Sequence, residues 1–195
     1  ISSAPSMDYE VGMEFSNEQK LIITLLTDIH SALKIEDSVD PDFVQRMVMS
    51  DNGWALAWQY PGIYESAPET PARVKFVIDV LDMWDTIERH YADLDAAERQ
   101  QLTKLAPVFG KNPMFRGFDG NNEAEQCSIV EILVEDLDRW EIFKGRDINS
   151  HIQLAASYSR MREVYDDILG SRYEFAPSIE ELADLLNAQT HPGNR

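Results

Sequence analysis

The chain has 195 residues, 44% of them hydrophobic and 10% aromatic, enough apolar mass for one buried core and too much for wholesale disorder. Against 17 basic residues stand 35 acidic ones. The resulting net charge of −18 repels phosphate backbones and anionic lipid heads, which argues against nucleic-acid and membrane binding.

Residues 1–98 carry 6 basic and 19 acidic groups and residues 99–195 carry 11 and 16, so anion-tolerant surface is expected in the second half. The predicted elements are helical almost throughout. Residues 1–12, "ISSAPSMDYEVG", show no periodicity and read as an N-terminal extension, native or left from expression. Ser16 opens the first helix, because "SNEQ" places Gln19 at the spacing of a capping box. Leu21, Ile22, Leu25, Leu26, Ile29 and Leu33 then form one apolar stripe. Asp40-Pro41 supplies a cap and a first-turn proline for the second helix, and Asn52-Gly53 is expected to stop it. A short segment with Trp54, Trp58 and Tyr60 ends at Pro61. Thr70-Pro71 repeats the start signal, and the longest helix runs on to about Tyr91. Its polar stripe is Lys75, Asp79, Asp82, Thr86 and Arg89. The remaining circumference is largely apolar, which predicts a central bundle helix or a subunit contact around Phe76, Val80 and Met83. Asp95 caps a short helix to about Ala106.

Pro107, Gly110, Pro113, Gly117 and Gly120 interrupt this pattern. Within "FRGFDGNNEAEQC", residues 115–127, Phe115 and Phe118 are expected to anchor a loop, and Asp119 or Asn121 to bond its own backbone. Asn122 with Glu125 resembles a capping box for a helix to about Trp140, with Val130, Leu133, Val134 and Leu137 inward. The loop "FKGRDINSH" leads to a helix over 152–169, capped by Asn149 or Ser150. Pro177-Ser178 opens the last helix, and residues 189–195 read as a frayed tail. With no alternating strand, no repeat and no linker, the pattern predicts an all-α fold: a single-domain multi-helix bundle of about seven helices over 13–188.

"MEFSNEQKLII" from Met13, "FRGFDGNNEAE" from Phe115, "NSH" at 149–151, "YSRMREVY" at 158–165 and the terminal "IEELADLLNA", in that order, resemble the bacterial YfbU family from Met13 to about Ala188. The resemblance implies an all-helical cytoplasmic protein that self-associates. It brings no reaction and no catalytic residues. A cytoplasmic setting also fits the single cysteine, Cys127, which rules out an intramolecular disulfide, and the lack of a leader-like segment or a run of ~20 apolar residues.

Metal chemistry finds no ligand pattern. Thr27, Ile87, Ile148 and Ala188 stand three residues before the four histidines, so no Glu-x-x-His pair exists, and neither a zinc signature nor a nucleotide loop is present. No cofactor is expected. The ladder Asp79, Asp82, Asp85, Glu88 reads as a solvated helix face, and Cys127, in register with Val130 and Val134, as a small buried hydrophobe.

One catalytic pair can be named. Arg146 and His151 in "RDINSH" look like the Arg-x4–6-His motif of HEPN-type ribonucleases. There the histidine would move a proton and the arginine would steady the charge developing on phosphate. In the competing reading, Arg146 pairs with a carboxylate and His151 lies in the first turn of the following helix.

The expected function is a self-associating interaction or regulatory module rather than an enzyme, with a homo-oligomeric state and a protein partner as its contacts. The alternatives are a metal-independent ribonuclease using Arg146 and His151, and a small-molecule sensor at the 115–123 loop using Arg116, Asp119, Asn121 and Asn122.

Overall fold

Side-chain caps fix where four of the helices begin. In the computed structural model, which describes residues 13–64, 69–170, 176–191 and 193, Ser16 caps α1 (Asn17–Leu33) in a reciprocal box with Gln19. At the head of α2 (Pro41–Met49), Asp40 accepts from the Asp42 and Phe43 amides. Asp95 with Glu98 and Ser178 with Glu181 make the boxes that start α5 (Ala96–Leu105) and α8 (Ile179–Asn187). The other α-helices among the described residues are α3 (Trp54–Gln59), α4 (Ala72–Asp93), α6 (Ala124–Glu131) and α7 (Ala155–Gly170). The fold is all-α, as the apolar spacing predicts. No described helix is long and apolar enough to cross a membrane.

The contacts gather into two compact units, residues 1–72 and 73–195. In the first, α2 packs on α1 and on α3, and its buried apolar residues include Phe43, Met47, Val48, Trp54 and Leu56. The chain leaves α2 through Asp51, which takes a left-handed φ of 57°, and not through the expected Asn52-Gly53 stop. Asn52 sends its amide back to the Met47 carbonyl at 2.9 Å and accepts the Trp54 indole N–H at 3.0 Å. Gly53 has an ordinary φ of −53°. It is needed for room, since a Cβ there would lie 2.8 Å from the Met13 carbonyl oxygen.

The orientation of α1 reverses the usual rule. Leu21, Ile22, Leu25, Leu26, Ile29 and Leu33 are 54–67% exposed, while Thr27 is the residue of this helix that is buried. Lys20, Ile23, Thr24 and His30 are the partly covered ones. Thr24 and Thr27 can face inward because their hydroxyls donate to the Lys20 and Ile23 carbonyls at 2.9 Å, inside their own helix.

In the second unit, α5 and α7 each pack on α8. Of the two readings of α4, the one that buries its apolar face within the chain holds: Val80 and Met83 are fully buried, and half-buried Phe76 stacks 6.2 Å from the Phe118 ring. A cluster of rings fills the core. Tyr158 lies 5.4 Å from Phe118, 5.9 Å from Phe115 and 5.9 Å from Trp84 between centroids. The helix expected to reach Trp140 stops earlier. Beyond α6 it widens into a π-helical segment, Ile132–Asp136, closed by the Leu137 amide on the Ile132 carbonyl at 2.9 Å. Trp140 itself takes a left-handed φ of 45°.

Candidate functional site

The 115–123 loop is held from three sides. Phe115 and Phe118, 2% and 0% exposed, anchor it in the ring cluster as expected. Between them Gly117 has φ 76°, and a Cβ there would come within 1.7 Å of the Ile148 carbonyl oxygen, so only glycine permits the approach. That approach makes a short parallel bridge, in which the Phe118 amide donates to Ile148 at 3.0 Å and the Ser150 amide donates to Phe118 at 2.9 Å. The Tyr158 hydroxyl, whose proton burial holds far more tightly than usual, donates to the Gly117 carbonyl at 3.1 Å.

Asp119 folds the tip. Its carboxylate accepts from the Asn122 side-chain amide at 2.5 Å and the Asn121 backbone amide at 3.0 Å, and these donors hold its pKa below the usual carboxylate range. The residue is 4% exposed. Asn122 is therefore not the cap of α6, as "NNEAE" suggested. Glu123 occupies that place and offers its own helix no side-chain bond. Instead the buried Glu123 carboxylate accepts from the Asp119 and Leu154 amides at 3.0 Å and the Ala155 amide at 2.8 Å. It thereby caps α7, which starts at Ala155 and not at 152. Asn149 and Ser150, the expected caps of that helix, are used elsewhere. Asn149 accepts from the Gly120 and His151 amides, both at 3.1 Å, and the Ser150 hydroxyl donates to the Ile152 carbonyl at 2.6 Å.

Arg146 meets a carboxylate, as one of the two readings had it. Its guanidinium donates to both oxygens of Glu88 at 2.9 and 2.8 Å, and lies 5.0 Å from the centroid of the Phe143 ring. Glu88 also accepts the Phe115 amide at 2.8 Å, so one carboxylate ties α4 to both loops. His151 precedes α7 with a left-handed φ of 55° and an exposed side chain. A cleft of about 400 Å³ runs along Gly120, Cys127, Glu131, Arg146 and Asn149, and His151 is not among its lining residues. Half-buried Cys127 points its thiol at the Phe118 carbonyl, 3.2 Å away, and burial raises its pKa.

A family model described as the YfbU domain matches residues 13–188 of this chain. The chain belongs to the YfbU family. It is similar to the UPF0304 protein MJECS11 of Methanocaldococcus jannaschii, with 26% identity over 131 residues that cover 65% of this chain and 72% of the relative.

The acidic ladder of this YfbU domain is divided among partners. Asp79 meets Arg162 at 2.7 Å, Asp85 meets Arg89 at 2.8 Å, Asp82 accepts the Trp140 indole N–H at 2.8 Å, and Glu88 holds Arg146. No group of three or more histidine, cysteine or acidic side chains among the described residues is arranged to hold a metal ion.

The four loop residues singled out for ligand binding part company. Asp119, Asn121 and Asn122 form the self-bonded tip, whereas Arg116 lines a separate cleft with Trp84 and Lys111. Sequence reasoning gave Glu123 no role at α7 and read Glu88 as part of a solvated face, because Leu154 and Ala155 lie 31 and 32 residues from Glu123, and Phe115 and Arg146 27 and 58 residues from Glu88.

Proposed function

We propose that this YfbU domain is a self-associating helical module whose contact surface is the outward face of α1. The reading rests on one observation: six large aliphatic side chains of a single helix stand more than half exposed, while its threonines turn inward. Scattered exposed leucines are ordinary, but a continuous stripe is the mark of an interaction site. Ile35, just past the helix, and Met49, at the end of the neighbouring α2, are 49% and 56% exposed. At roughly 100 Å² each, the eight side chains offer about 800 Å², one partner's share of a standard interface.

The occupant that fits is a second copy. Its own α1 carries the same stripe, and a two-fold axis sets like against like without a second complementary surface. Ile22, Leu25 and Ile29 alternate spacings of three and four, which suits a helix pair. Charge permits the contact as well. Glu18, Lys20 and Asp28 are the charged side chains of α1, excepting His30, in a chain whose net charge is −18.

Light scattering at micromolar concentration tests this. The wild-type protein should show twice the chain mass of 22.3 kDa. The double variant Leu25→Glu, Ile29→Glu should run as a monomer with its helical circular dichroism intact. A monomeric wild type, or a variant that stays dimeric, defeats the reading.

A further inference from the structure

A second recognition site is carried by the cleft of about 380 Å³ in the second unit, lined by Trp84, Lys111, Arg116, Met114 and Val108 among others. Its charge sets it apart. The chain has 35 acidic residues, yet none of the nine residues that line this cleft is acidic. The cleft along α4 and α7 has four aspartates in its wall, and the cleft beside Arg146 has Glu131 and Asp147. Arg116 and Lys111 are both exposed, and neither makes an ion pair with a carboxylate among the described residues. Two carboxylates of the same unit are already engaged, Glu88 by Arg146 and Glu123 by three backbone amides.

Trp84 adds an independent observation. It is 2% exposed, its ring packs edge-on against Tyr158, and its indole N–H has no acceptor. A buried donor without a partner is rare in a folded protein, and this one belongs to a residue of the cleft wall. Val108, 75% exposed, and Met114, 43% exposed, give the cleft an apolar wall together with Phe109 and Pro113, while Asn112 and Gln189 are its uncharged polar residues. A pocket of this size, with an apolar wall and a few convergent polar groups, has the composition of a small-molecule site.

We propose that this cleft binds a small organic carboxylate with an apolar body, the carboxylate meeting Arg116 and Lys111 and accepting the Trp84 indole N–H, and the body lying along Met114 and Val108. A planar guanidinium suits a carboxylate's two oxygens, and the flexible thioether of Met114 adapts to an irregular apolar shape. A bare inorganic anion would leave the apolar wall unused, and a neutral ligand would leave both cations unpaired.

Titration of the folded ¹⁵N-labelled protein with phenylacetate tests the proposal, with phenylacetamide as the uncharged match and inorganic phosphate as the bare anion. The Trp84 indole N–H resonance, assigned by through-bond spectra of the wild type, should shift and saturate with phenylacetate. Arg116→Gln and Lys111→Gln, both at exposed positions, should each weaken that binding about tenfold, the loss of one charge-assisted contact. Phenylacetamide and phosphate should each bind more weakly by at least as much. The proposal is overturned if the Trp84 resonance does not move, if phenylacetamide binds as well as phenylacetate, if phosphate alone saturates the same shift as tightly, or if both charge variants bind like the wild type.

Discussion

The Glu123 carboxylate caps a helix that begins 32 residues further along the chain, accepting the Ala155 amide at 2.8 Å while its other oxygen takes the Leu154 and Asp119 amides at 3.0 Å. Three backbone donors thus depend on one side chain that is 8% exposed. Glu123→Ala strands all three, and a buried donor without its acceptor costs about 1–3 kcal/mol. Partial rehydration should hold the total near 3 kcal/mol, read as a lower midpoint in urea with an unchanged slope. Glu123→Gln keeps one acceptor oxygen and should lose about half as much. A loss below ~0.5 kcal/mol for the alanine variant would show that α7 does not need this cap.

Gly117 and Gly145 form a matched pair for testing close approach against backbone strain. Both have left-handed φ, 76° and 71°, yet a Cβ at Gly117 would strike the Ile148 carbonyl while one at Gly145 meets nothing within 4 Å. Gly145→Ala should cost only the left-handed penalty of about 1–2 kcal/mol. Gly117→Ala must in addition break the Phe118–Asn149 bridge and unseat two buried rings, so it should cost at least ~3 kcal/mol or abolish folding. Thermal melts of the two variants decide the matter, and equal losses would refute it.

What was legible in the sequence follows from how local each cause is. Ser16, Asp40, Asp95 and Ser178 act on amides within three residues, so their caps can be read directly from the letters. The same local rule misled at Asn122, where the pattern of a box was present but Asp119 took the asparagine and a distant helix took Glu123. Periodicity in α1 correctly identified one apolar face and said nothing about which way it would point. The Glu88–Arg146 pair and the Gly117 contact lie beyond any spacing rule, because their partners are brought together by the tertiary fold alone. The clefts are likewise products of packing, although the larger share of basic residues after residue 98, 11 of the 17, agrees with the placement of Lys111 and Arg116.

Arg146 and Glu88 should behave as a coupled structural pair. Their side chains are 28% and 12% exposed, with two guanidinium bonds between them. Arg146→Met leaves Glu88 with the Phe115 amide as its remaining described donor and should destabilise by about 2 kcal/mol; Glu88→Gln should cost somewhat less. The double variant should lose less than the sum of the two, with a coupling of about 1 kcal/mol in a double-mutant cycle. Strict additivity would mean that the two groups are held in place independently of one another.

Cys127 provides a test of burial that reads ionisation directly. The thiol is half-buried among Glu131, Glu123 and Asp119, and burial first, then these carboxylates, push its pKa above the ordinary value. Since the thiolate is the nucleophile, Cys127 should react with a disulfide reagent more slowly than glutathione at pH 8, and at the ordinary rate once the chain is unfolded. It lines an open cleft, so slow reaction reports scarcity of thiolate more than closed access. The sign for stability follows. Below the ordinary thiol pKa both states hold the proton and the shift contributes nothing. Above it the unfolded chain ionises first, so stability falls with rising pH until the folded thiol ionises too. Cys127→Ser removes that group from the titration. Its stability should therefore fall less than that of the wild type between pH 8 and pH 10, and parallel curves would place the thiol at its ordinary pKa in the folded chain.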